Sequence, residues 1–177
     1  GHPLSCILEW AIGNLNNQKS QNIISFSSKT IPILAILRKN SLENKNTQIV
    51  YTNELPDFFN VDLLRSVYGY IFELQKVEKV TEITKFNGST IFITANDNIS
   101  TLNLTPNIDF LVNIHVNLGS VLAINGAQNE TYISDIQHVR RRETIAMTPA
   151  NSLTALRTLV GKSSINAPKN TINTDKT

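Results

Sequence analysis

The sequence predicts an α/β (α+β) fold, a mixed sheet with antiparallel hairpins flanked by helices. Three observations lead there. Apolar residues recur at helical spacing from Leu4 to Leu15 and again from Val61 onward. Elsewhere they crowd into short β-branched runs. Between those runs stand the turn signals Asn87-Gly88, Asn117 to Ser120 and Asn125-Gly126. The 177 residues, 41% hydrophobic and 17% charged, suffice for one packed core and are short for two. The expected division is one domain over 1–161 and a polar, disordered tail over 162–177.

The first element is a short amphipathic helix, with Leu4, Ile7, Leu8, Ala11, Ile12 and Leu15 on one face. Trp10 falls off that stripe and is expected as a side wall of the core. Cys6 is expected as a small buried hydrophobe. Ile23 to Leu37 reads as consecutive strands. The small hydroxyl residues of Ser25 to Thr30 interrupt it, either as a hairpin tip or as a phosphate-holding loop. After the polar break Ser41 to Asn46, Thr47 to Thr52 reads as a strand.

Pro56-Asp57 then supplies a helix start. Val61, Leu64, Val67, Tyr68, Ile71, Leu74 and Val77 carry the stripe of a long helix to about Val80, weakened at Gly69. Downstream the period falls to two. Ile83 to Lys85 and Thr90 to Thr94 read as a hairpin about Asn87-Gly88, Ile108 to Val116 and Val121 to Ile124 as a second, and Thr131 to Val139 as a further strand. A short helix through Leu153, Leu156 and Leu159 ends at Gly161.

The chemistry-bearing residues form no familiar set. His2, His115 and His138 are scattered, and one cysteine removes both a disulfide framework and a multi-cysteine metal site. His115, between apolar neighbours, reads as an ordinary strand histidine. GxSxG, GxxxxGK[ST] and GxGxxG are all absent. Asp57 with Asp62, or Asp97 with Asp109, could serve as acid and base only if the fold made them face each other. The sequence therefore offers no catalytic residue, no metal ligand and no cofactor, and the expectation is a protein that is not an enzyme.

A net charge of +2 is too mild for a nucleic-acid partner, and no apolar run is long enough to span a membrane. Arg140, Arg141 and Arg142 form the one dense basic cluster. It is a candidate contact for acidic lipid, RNA or an acidic helix, with the layout of a juxtamembrane segment near the C-terminal end.

Two segments, Asn22 to Leu37 and Leu111 to Gly126, resemble the phosphate hairpins of the actin-like (ribonuclease H-like) ATPase fold, in particular the PilM-like and GspL-like proteins of type IV pilus and type II secretion platforms. In that family an acidic residue and a glycine stand at each hairpin. Here Ser25 and Ser27 occupy the first pair and Asn113 and His115 the second. The resemblance implies an actin-like domain without Mg²⁺ or close phosphate approach. It implies a non-catalytic scaffold of a pilus or secretion machine, cytoplasmic or the cytoplasmic part of an inner-membrane protein, contacting the assembly ATPase and inner-membrane partners. Two further readings stand beside it. One is a self-associating viral structural or matrix-type protein that binds nucleic acid or lipid through Arg140 to Arg142. The other is an enzyme of unrecognised type.

Overall fold

A computed structural model describes residues 3–57, 59–95, 102, 104–115 and 119–143. The chain opens with helix α1 (Pro3–Leu15), strand β1 (Ile23–Phe26), helix α2 (Ile31–Leu42) and strand β2 (Thr47–Tyr51). It continues with the short helix α3 (Val61–Ser66) and strands β3 (Glu73–Lys76), β4 (Ser89–Ala95), β5 (Phe110–His115) and β6 (Gly119–Ile124). Helix α4 (Tyr132–Glu143) follows. Among the described residues the strands form one mixed sheet in the order β1-β6-β5-β4-β2-β3. Pairing is parallel from β5 through β4 and β2 to β3, and antiparallel on either side of β6. The α/β class is as predicted; the actin-like arrangement is not what forms.

Alternate residues of β1, β2, β4, β5 and β6 enter opposite cores. Ile23, Val50, Phe92, Leu111 and Val121 pack under α1, against Leu8, Ala11 and Ile12. Ile24, Ile49, Ile91, Phe110 and Leu122 pack on the other face against Ile33, Ile36 and Leu37 of α2 and Tyr132 and Ile136 of α4. Both faces are covered, so the central strands read as unbroken apolar runs and lose the polar alternation of a one-sided sheet. That double burial also hides the distinction between strand and helix.

Several segments differ from expectation. Ile31–Leu42, read as strand, is helical: Ile33, Ile36, Leu37 and Asn40 are buried at the 0, +3, +4, +7 spacing of one helix face, and Pro32 sits in the first turn, where no ladder N–H is needed. The supposed first hairpin is thus a strand–loop–helix unit, and the actin-like pair of hairpins does not exist. Thr131 to Val139, also read as strand, lies in α4, where Tyr132, Ile136 and Arg140 are buried four residues apart.

The long helix expected from Pro56 to Val80 stops at Ser66. Gly69 takes a φ of 69°, a left-handed turn, and the chain then re-enters the sheet as β3. Val67, Tyr68 and Ile71 of the supposed buried stripe are exposed, Ile71 by 83%. The Asn87-Gly88 turn leads into β4, which pairs in parallel with β2 and β5 and forms no hairpin with Ile83 to Lys85. The second hairpin, β5 with β6, forms as expected. Cys6 and Trp10 are exposed, against expectation. The helix near Leu153 to Gly161 and the tail over 162–177 lie outside the described residues. No helix among the described residues is long and apolar enough to cross a membrane.

Candidate functional site

Strands β1, β5, β4, β2 and β3 all run in one direction, so their C-terminal ends share one edge of the sheet. The chain leaves β2 toward β3 at the border and returns to β4 on the opposite side of β2. In open α/β sheets the crevice beyond such a reversal is where ligands bind, because neighbouring connections diverge there. A cavity of about 430 Å³ lies at this edge. Lys29 reaches it from the β1–α2 loop, Lys76 from the end of β3, and Asn53, Glu54 and Asp57 from the segment after β2. Ala95 and Ile114, at the ends of β4 and β5, form part of its apolar floor.

The cavity has two signs of charge. Lys29 is half-buried and Lys76 exposed, and neither ammonium makes an ion pair or hydrogen bond among the described residues. Glu54 and Asp57 are exposed carboxylates on the same wall. Such an arrangement can hold a small zwitterion, and it can pass a proton between an ammonium and a carboxylate. Among the described residues no cluster of His, Cys, Asp and Glu could hold a metal ion.

The β1–α2 loop borders this edge. The Ser28 hydroxyl accepts hydrogen bonds from the N–H groups of Thr30 and Ile31, each at 3.1 Å. Ser120 on β6 donates its hydroxyl to the Ser28 carbonyl and so ties the loop to the sheet. Gly119, with φ of 97°, lets β6 approach the loop; a Cβ there would collide with the carbonyls of Phe26 and Ser27.

The residues singled out from sequence are dispersed. Ser27 follows β1 and is half-buried, and His115 ends β5 at the same edge. Ser25 and Asn113 are buried on the α1 face, on either side of Val121 in the register. Ser25 receives the Glu9 carboxylate on both its N–H and its hydroxyl, at 2.7 and 3.0 Å. Arg140 completes this group by pairing with Glu9. The arginine triplet is therefore split: Arg140 is 6% exposed, while Arg141 and Arg142 face solvent. Asp109 is structural, accepting from Thr90 N–H and Asn129. Asp57 lines the cavity, Asp62 sits in the first turn of α3, and Asp97 lies outside the described residues. Sequence reasoning passed over Lys29, Lys76 and Glu54, because three isolated charges in three connections carry no spacing signal.

No family model matches the sequence, and no curated protein matches it. Solved structures do match in fold. A protein assigned as an L-allo-threonine aldolase of Listeria monocytogenes superposes with a TM-score of 0.55 over 92% of this chain at 11% identity. The O-acetylhomoserine sulfhydrylase of Wolinella succinogenes gives 0.51 over 90% at 12%. An aromatic amino acid aminotransferase gives 0.53 over 99% at 10%. The chain spans 58%, 63% and 59% of those three proteins. They are pyridoxal-phosphate-dependent enzymes and not actin-like ATPases. This overturns the expectation of a PilM-like or GspL-like scaffold for pilus or secretion assembly, and with it the reading of a protein with no enzymatic relationship. The physical reason is the one already seen: an apolar run taken for a hairpin is a crossover helix.

Proposed function

We propose that this chain forms the ligand-holding part of an enzyme acting on a small amino-acid-type compound, bound in the cavity at the C-terminal edge of the sheet. The observation that carries the reading is the convergence there of Lys29 and Lys76 with Glu54 and Asp57, from three separate connections. The fold's likeness to enzymes that act on amino acids supports it. In this reading Lys29 and Lys76 attract the carboxylate of the bound compound, and Glu54 and Asp57 accept hydrogen bonds from its ammonium group. Leu55, Pro56, Ala95 and Ile114 supply an apolar wall for the side chain. A lysine ammonium beside the reacting group can release a proton, and a carboxylate of the same cavity can take one up.

The test is calorimetric titration of the protein with a panel of amino acids and their 2-oxo acids. Saturable binding is expected, weakened at least about tenfold in K29A/K76A, as loss of charge-assisted hydrogen bonds requires. Equal affinity of the double variant and the unaltered protein would overturn the reading.

A further inference from the structure

We infer that Ser28 closes the anion seat beside this cavity, so that the site takes a phosphate-free ligand and pyridoxal phosphate, the group the fold implies, does not fit. The inference concerns the cavity of the preceding subsection and rests on its being the ligand site. Pyridoxal phosphate asks three things of a protein: an amine for its aldehyde, a polar partner for its ring nitrogen, and a seat for its phosphate. Lys29 or Lys76 meets the first, and Glu54 or Asp57 can meet the second. The third fails.

A phosphate at the end of a strand is held by the free backbone N–H groups that open the following helix. Here that helix is α2, and the first two of its donors are committed. The N–H groups of Thr30 and Ile31 both point to the Ser28 hydroxyl. Pro32 has no N–H at all. Leu34 N–H already turns back to the Thr30 carbonyl at 3.0 Å, as the first rung of the helix ladder.

The loop is not free to turn these groups outward, because Ser120 holds the Ser28 carbonyl and β6 packs against the carbonyls of Phe26 and Ser27 through Gly119. Those carbonyls also present partial negative charge, which an anion avoids. No aromatic ring lines the cavity to stack on a pyridine, among the described residues. Ser28 is thus a specificity-determining residue: its oxygen sits where a phosphate oxygen would otherwise accept the same two hydrogen bonds.

The experiment compares pyridoxal 5′-phosphate with pyridoxal on the unaltered protein and on Ser28→Gly. Titration is followed by borohydride trapping and peptide mapping of the modified lysines. On the unaltered protein both aldehydes are expected to label alike, without saturation and over several lysines. Ser28→Gly frees two N–H groups. It is expected to favour the phosphate ester over pyridoxal by about tenfold or more. Ser28→Ala serves as a second variant that removes the oxygen and keeps the backbone restricted.

A single-lysine, stoichiometric, phosphate-preferring adduct on the unaltered protein would overturn the inference. So would an unchanged preference in both variants. Titration with an unphosphorylated amino acid reads the proposed function separately, so the two ideas fail independently.

Discussion

Glu9, Ser25 and Arg140 show how one buried ion pair can serve two purposes. Strand β1 is an edge strand, and its outer side would leave the Ser25 N–H and carbonyl without partners. Glu9 from α1 accepts from that N–H, and Arg140 from α4 lies 3.4 Å from the carbonyl. The two side chains substitute for a neighbouring strand and join the helix layers across the sheet edge. A buried pair is costly to break because the remaining charge stays desolvated. Arg140→Ala is therefore expected to lower the unfolding free energy by about 3–5 kcal/mol, measured by urea denaturation. Replacement of Arg141, which is exposed, should change it by less than about 0.5 kcal/mol. Equal effects at the two positions would contradict the placement of Arg140. Gly119 gives a second residue-scale prediction. Alanine there meets Ser27 O at 2.7 Å in a left-handed backbone region, so Gly119→Ala should cost about 1–3 kcal/mol, read as a lowered urea midpoint.

At the scale of elements, α2 and α4 pack side by side on one face, and Lys39 ties them. Its ammonium lies 2.6 Å from Asp135 on α4 and 2.8 Å from Glu43 one turn along α2. The hydrogen bond to Asp135, then that to Glu43, holds the Lys39 pKa up to about 12, against partial desolvation. A group whose pKa is raised by folding stabilises the fold fully below its unfolded value and loses that contribution as pH rises through the folded one. The helix pair should therefore lose stability between pH 10.5 and about 12. The difference in urea midpoint between the unaltered protein and the D135N/E43Q variant is expected to shrink across that window. A constant difference would show that Lys39 does not couple the helices. Ile36 of α2, fully buried against the sheet, marks the packing of this layer, and Ile36→Ala should cost about 2–5 kcal/mol in the same denaturation experiment.

For the whole molecule, what matters is which connections meet. The cavity residues come from the β1–α2 loop, from β3 and from the segment after β2, so no local sequence window contains them. Lys29 and Lys76 are 47 positions apart, and only the shared direction of β1 and β3 in the sheet brings their strand ends to one edge. The exposed apolar residues Val67, Tyr68 and Ile71 have the same origin. Their three-and-four spacing suits a long helix, yet the left-handed turn at Gly69 diverts the chain into β3.

By itself the sequence determined the α/β class, helix α1, strand β2 and the β5–β6 hairpin. Those are the places where spacing, a polar break or a turn signal acts within a few residues. It misled at Ile31 to Leu37 and at Thr131 to Val139, both read as strand, because short runs of β-branched apolar residues suit either element. The tertiary structure decided those two elements through the faces they bury: Ile33, Ile36 and Leu37 on one, Tyr132, Ile136 and Arg140 on the other. It alone decided the candidate site, since that site is made of strand ends whose neighbours are fixed by crossovers. It also decided that Ser28, which in sequence is one hydroxyl among several, spends its oxygen on the helix donors a phosphate would need.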